Sequence, residues 1–330
     1  MAGGRKFVTL GMFIIDQFEY LDDDGNETGR PSKSEIGGGG TYAAIGARIW
    51  FPPEEVGMIV DRGPDFPSSM QKTLASYGND MWLFRERADS ETTKALNSYR
   101  GEHRSFRYLT PRMRITPHDL KQTKLERPKS IHFICSPARA SAILTERSQY
   151  SGSCCAFSAY IISSFDPHPS PNAEEALSLL SIPLPPTKAA IEKAADRFLE
   201  LGAKEAVVIR SGGLGAYVLT RARPGEWITA FWGAENVKEV IDVTGAGNSF
   251  LGGLAAGLDI ADGDIYEGEC VSSAILYLSI DHQISASLYA TVSASFAIQQ
   301  GGLPVFSEGL WNQDSPSRRL DVLKKLRAGD

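Results

Sequence analysis

Residues 238–258 read KEVIDVTGAGNSFLGGLAAGL, and their reading decides the fold. Gly245-Ala246-Gly247 is followed at once by a run of small and apolar residues. The two glycines carry no Cβ, so the backbone can take tight or positive-φ geometry there. A turn of this kind lets consecutive N–H groups converge on the first turn of a helix. Such a helix end binds anions through its unpaired donors and the positive end of the macrodipole. An ordinary strand-to-helix loop would use the same glycines, because short glycine turns are common. On the glycines alone, both readings stay open.

Outward from this turn the chain has α/β punctuation. FVTLGMFII (7–15) is a near-continuous apolar run, as expected of a central strand covered on both faces, and VGMIVDRG (56–63) reads as another buried strand. GGGGTYAAIGARIW (37–50) predicts a glycine turn feeding a small-residue helix. TKAAIEKAADRFLELG (187–202) is an amphipathic helix closed by glycine, followed by the strand EAVVIRSGG. SIHFICS and AFSAYIISSFDP are further expected strands. Beyond Gly247 the pattern is almost wholly helical, over 249–258, 264–280 and 285–300, with a C-terminal surface helix within 312–330.

Two segments break the pattern. DQFEYLDDDGNETGRPSKSEI offers a hairpin turn at Asp24-Gly25, and TTKALNSY and RSFRYLTP alternate on either side of RGEH. Alternation marks one wet face, so these segments, about 17–36 and 82–111, predict a small β-lid on a single α/β domain spanning 1–330. TTKALNSY would serve equally as an edge strand pairing two copies of the chain.

Composition sets outer bounds. The chain has 330 residues, 42% of them hydrophobic, with a formal net charge of −6, so no basic run is long enough to track a nucleic-acid backbone. No apolar run approaches membrane-spanning length, and the N-terminal apolar segment is too short for a signal peptide. Cys135, Cys154, Cys155 and Cys270 match no zinc spacing and are expected to be reduced thiols in a cytoplasmic protein. No GK[ST] occurs, which excludes a P-loop, and Tyr42 breaks the dinucleotide fingerprint after Gly37. Asp166 and His168 are two candidate metal ligands, but DPHPSP reads more simply as a proline-rich loop.

DVTGAGNSFLGG resembles the second signature of the PfkB (ribokinase-like) carbohydrate kinase family, D-T-x-G-A-G-D before a small-residue helix. GMFIID resembles the family's first strand, and GGGGTYAAIGAR its first signature, with Thr41 at the usual asparagine. PNAEE is similar to the N-x-x-E motif, and VVIRSGGLGAYV to the nucleotide-binding strand and turn. The matches keep the family's order from Asp16 to about Pro304, and GTYAAIGAR with LYATVSASFAIQQGGLP resembles its fungal "maintenance of killer" branch.

The resemblance implies a three-layer α/β/α sandwich around a mainly parallel sheet. It implies transfer of the ATP γ-phosphoryl group, with Mg²⁺, to a hydroxyl of a sugar or nucleoside. Gly245, Ala246 and Gly247 would form the anion hole. Asp16, Gly38, Gly39 and Thr41 would hold the acceptor. Asp242, Thr244, Gly212 and Gly215 would bind nucleotide, and Asn172 and Glu175 would place the metal. Asn248 occupies the family's base position, where an amide can orient a hydroxyl but cannot take its proton. This departure leaves two expectations, a slow kinase or a nucleotide- and sugar-binding pseudokinase acting through a protein partner. FDPHPSPN is a further departure, because it runs from a strand end to Asn172 with no room for the usual helical crossover.

Overall fold

The strands at the centre of the molecule read as continuous apolar runs because both of their faces are covered. The computed structural model describes residues 4–29, 33–100, 103–134, 160–162, 167–203, 206–221, 224–265 and 280–329, with a few further positions between 139 and 146. Strands β1 (Phe7–Thr9), β4 (Val56–Arg62), β5 (Trp82–Glu86) and β8 (Ser130–Phe133) are mutually parallel in the order β8-β1-β4-β5. Alternate residues enter different cores. Phe7, Met58 and Val60 pack with α1 (Gly39–Arg48), α5 (Ala246–Ile265) and α6 (Ile280–Ala297), whereas Val8, Ile59 and Ile131 pack with Ile115, Leu120 and Leu125.

The sheet continues past β8 through β9 (Tyr160–Ile162) and β10 (Pro167–Pro169), each antiparallel to its neighbour. An isolated parallel bridge from Asn172 to Arg210 then joins it to an antiparallel unit, β11 (Ala206–Arg210), β12 (Ala216–Thr220) and β13 (Glu226–Ile228). There too the faces divide. Val208 and Val218 turn to the first core, while Val207 and Ile209 meet α3 (Ala173–Leu179) and α4 (Lys188–Glu200). Helices therefore lie on both faces of the sheet, the three-layer arrangement expected. Helix α2 (Ser68–Ser76), carrying Met70 and Leu74 into the first core, completes that layer beside β5.

The lid is a separate four-stranded sheet in the order β3-β2-β6-β7, made of β2 (Ile14–Leu21), β3 (Lys33–Gly37), β6 (Lys94–Arg100) and β7 (His103–Tyr108). It is mixed, because β2 pairs antiparallel with β3 but parallel with β6. The expected turn is present, with Gly25 at φ 88° and its N–H donating to Asp22 O.

Several expectations need correction. The run 7–15 is not one strand: Thr9 Oγ1 accepts the Gly11 N–H, and the chain then crosses from the central sheet into the lid. A Cβ on Gly11 would stand 2.5 Å from Gly40 Cα, so the crossing chain presses on the start of α1. The segment 82–111 is not all lid, since β5 pairs with β4 and Trp82 is buried in the main core. TTKALNSY is not an edge strand, because β6 is paired on both sides; the lid edges are β3 and β7. A hairpin, β14 (Phe306–Ser307) and β15 (Leu310–Trp311), precedes the C-terminal helix α7 (Pro316–Ala328), which turns Arg319, Leu320 and Leu323 inward, with Arg319 donating to Ser295 Oγ of α6, and leaves its other face exposed. The short run into Asn172 follows antiparallel strands, which need no helical crossover. The four cysteines, Asp166 and most of the helix expected over 264–280 lie outside the described residues. Among the described residues, no helix is long and apolar enough to cross a membrane.

Candidate functional site

The carboxyl ends of β1, β8 and β11 face the amino ends of α1 and α5, where parallel α/β sheets gather ligands. Gly38 opens α1 with φ 88°, and a Cβ there would stand 2.2 Å from Met12 O. Only glycine fits. A Cβ on Gly37 would meet Asp16 Oδ2 at 1.8 Å, so the Asp16 carboxylate, on the 8%-exposed β2 residue, lies against the Gly37 backbone. Thr41 is fully buried, and its hydroxyl donates to Gly37 O at 2.8 Å. Its observed role is to hold the turn. Arg48, which also fits the first signature, sits at the far end of α1 and donates to Tyr77 O and Phe51 O.

The second signature meets the first. Asp242 Oδ1 accepts the Thr244 N–H at 2.8 Å, tightening the loop before Gly245, whose φ is 78°. A Cβ on Gly245 would collide with the Tyr42 ring at 2.1 Å. Burial, then the Asp242, Asp16 and Glu35 carboxylates, push the Tyr42 phenol well above its ordinary pKa, so it stays neutral. Ser249 N–H donates to Gly245 O, while the N–H groups of Gly247 and Asn248 have no partner among the described residues. A Cβ on Gly39 would stand 2.8 Å from Asn248 Nδ2 and 2.3 Å from Ile134 Cδ1. The Asn248 amide therefore lies directly on the glycine turn of α1.

Small residues hold the two helix ends together. A Cβ on Gly46 would be 2.1 Å from Ser249 O, and one on Gly252 would be 2.0 Å from Ala43 O. Ser293 of α6 bridges them, donating to Gly46 O at 2.9 Å and accepting at its carbonyl from Ser249 Oγ at 3.0 Å. This accounts for LGGLAAGL: Gly252 lets α1 approach α5 backbone to backbone, while a Cβ on Gly253 or Gly257 would meet Ala290 Cα at 2.9 Å or Ala286 Cα at 2.6 Å on α6.

Beside the α5 end lies a cavity of about 630 Å³, with Gly212 and Gly215 in its wall. Gly212 has φ 55° and Gly215 φ 92°, with Ile228 O 1.9 Å from where a Gly215 Cβ would be. Val237, Val243 and Phe231 supply apolar wall, and Val237 and Val243 remain 67% and 68% exposed. Asp242 and Thr244 shape the neighbouring turn and are not in that wall, whereas Ala246 and Gly247 are. Asn172 also lines the cavity.

The proposed metal pair is engaged locally. Asn172 Oδ1 accepts the Glu175 N–H at 2.8 Å, and Glu175 Oε2 accepts the Asn172 N–H at 2.9 Å, a capping box that starts α3. Glu175 also faces Arg210, with Oε2 3.7 Å from Nη2. Among the described residues no group of three His, Cys, Asp or Glu side chains gathers to hold a metal. This donor set suits an ion that arrives on phosphate oxygens and adds one carboxylate, and does not suit a protein cage.

Arg210 and the apolar wall escaped sequence reading. An arginine ending the buried strand AVVIR, just before Ser211-Gly212-Gly213, was the available signal for the first. Apolar residues spaced through the otherwise polar stretch 237–243 were the signal for the second.

Comparison with known proteins adds three findings. A sequence profile described as "pfkB family carbohydrate kinase" matches residues 169–267. An uncharacterized Schizosaccharomyces pombe protein, C16C9.01c, is 31% identical over 96% of this chain and 91% of its own length, and protein MAK32 of Saccharomyces cerevisiae is 29% identical over 90% and 85%. Among solved structures, ribokinase from Giardia lamblia superposes with a TM-score of 0.70 at 16% identity, covering 98% of this chain and all of that one. Arabidopsis thaliana ribokinase, complexed with ribose and ATP, gives 0.63 at 16% identity, covering 98% and 99%.

Proposed function

The chain belongs to the pfkB family of carbohydrate kinases, and from that premise we propose that it is a cytoplasmic phosphotransferase using ATP and a sugar or nucleoside hydroxyl. The adenine would lie in the cavity between the Gly212–Gly215 turn and the Val237–Val243 wall, a mostly apolar space of ligand size. The terminal phosphoryl group would rest on the open N–H groups of Gly247 and Asn248. Asp16, held against Gly37, would accept hydrogen bonds from the acceptor, beside the Gly38–Gly39 turn. The acceptor oxygen would bond to the γ-phosphorus as the bond to ADP breaks, and its proton would pass to solvent. A divalent cation, when bound, would shield the phosphate charge, with Glu175 as the available carboxylate and Asn172 beside it.

The observation that carries this reading is the contact of the Asn248 amide with Gly39, because it brings the proposed donor and acceptor turns to one point. Asn248 would orient the hydroxyl without accepting its proton. Restoring a carboxylate by Asn248→Asp should raise turnover by about 10²–10⁴-fold, the usual contribution of a general base. The test is ADP release from wild type and variant across a panel of sugars and nucleosides.

A second reading is a pseudokinase, a binding module working through a protein partner. It is favoured by the chemistry of the two substituted positions: Asn248 has no basicity, and the Thr41 hydroxyl is committed to Gly37 O. Nucleotide-induced thermal stabilisation of both forms, with a folded Asn248→Asp variant showing no gain on any acceptor, would decide for it. Pairing of two lids would then have to use β3 or β7, the strands with open edges.

A further inference from the structure

Arg210 closes β11 and points at the end of α5. A Cβ on Gly247 would stand 2.0 Å from Arg210 Nη1, so the guanidinium lies on the Gly247 backbone. Its Nε donates to Ser170 O at 3.0 Å and its Nη2 is 3.7 Å from Glu175 Oε2, while Nη1 has no hydrogen-bond partner among the described residues. The side chain is only 14% exposed, and what it exposes lines the 630 Å³ cavity.

A fixed cation set against the positive end of a helix is unfavourable unless an anion joins them. Glu175 compensates in part, because its side chain is 43% exposed and the same oxygen caps α3. The next residue, Asn248, brings no charge. Burial draws the Arg210 pKa down while Glu175 raises it, but a guanidinium remains charged at neutral pH. His132, fully buried and facing the same charge, is held neutral. The positive potential is therefore concentrated on the face that Gly247 leaves open.

We infer that Arg210 is a phosphate-positioning residue: it holds the terminal phosphates of a nucleoside polyphosphate against the first turn of α5. It also supplies in fixed form enough positive charge for polyphosphate to bind without a divalent cation. The inference rests on the nucleotide reading above for the identity of the base, but not for the anion site itself. It gives Gly247 a role, since a side chain there would displace the guanidinium from the helix end.

The test is calorimetric titration of wild type, Arg210→Gln and Arg210→Lys with ATP, adenosine and inorganic tripolyphosphate, all in EDTA. Wild type should bind ATP at least tenfold more tightly than adenosine and should bind tripolyphosphate. Arg210→Gln should lose both effects while keeping its adenosine affinity, and Arg210→Lys should recover part of them. Equal ATP preference in Arg210→Gln, or wild-type ATP binding that appears only when Mg²⁺ is added, would overturn the inference. Should Arg210→Gln not fold, the wild-type titrations and Arg210→Lys still decide it. Wild type that binds tripolyphosphate but not adenosine would sink the nucleotide reading and leave the anion site standing. Adenosine binding with no gain from phosphates would do the reverse, and no binding of any of the three would end both.

Discussion

The two halves of the cleft are built by different means. The half beside α5 is mostly backbone and apolar wall: glycines at 212, 215, 245 and 247, a half-open cavity, and one largely buried arginine. The half beside α1 depends on a side chain carried in by another sheet, Asp16 on β2, pressed against Gly37. A backbone-built site is shared by any ligand with the right charge. A site completed by a lid side chain can change its ligand without disturbing the core. On the function proposed above, the α5 half would serve the common phosphoryl donor and the α1 half would set the acceptor.

The comparison can be broken at Asp16. Asp16→Asn should weaken acceptor binding by about 10- to 100-fold, the worth of hydrogen bonds to a charged group, and leave nucleotide affinity unchanged. Titration of the variant with ATP and with any acceptor found by the ADP-release panel checks this; a parallel loss of ATP affinity would erase the division between halves.

Gly252→Ala asks the opposite question, because it acts on what the halves share. The added methyl would stand 2.0 Å from Ala43 O, where α1 and α5 cross. Overpacking of this kind costs about 1–3 kcal/mol, so denaturant midpoints should fall and both ligand affinities should drop together. A variant as stable as wild type would mean the helices can part without cost.

A smaller effect per unit of pH is expected from His132, beneath both halves. Its Nδ1 is 2.9 Å from Thr9 Oγ1, and burial first, then the Arg210 charge, push its pKa down from 6.5 to about 3. The unfolded chain takes up a proton below pH 6.5 that the folded chain refuses until about pH 3. Stability from this group is therefore complete above pH 6.5 and is lost on acidification through that window, by at most ~1.4 kcal/mol per pH unit. Unfolding free energies of wild type and His132→Gln across pH 4–7 should differ in slope by up to this amount, with the variant flatter.

Much of this was legible along the chain. The glycine turns announce themselves because positive φ and backbone contact exclude side chains, and LGGLAAGL records the approach of α5 to its neighbours. Strands covered on both faces appear as apolar runs at Val56–Val60 in the parallel sheet and at Ala206–Ile209 in the antiparallel unit. Other features were illegible. The run 7–15 looks like one strand, since apolar composition does not show that Gly11 lets the chain pass over α1 into another sheet. Trp82–Glu86 resembles lid as much as core until its pairing with β4 is known.

What the sequence determined by itself was local: where the backbone had to turn, which helices are built of small residues, and that an amide rather than a carboxylate stands at position 248. Only the tertiary structure decided who meets whom. It placed Asn248 on Gly39, Asp16 on Gly37 and Arg210 on Gly247, three contacts between residues 21 to 209 positions apart. Backbone geometry is imposed by each residue's own sterics and can be read in place. A charge's partner is set by chain topology, which no local pattern encodes.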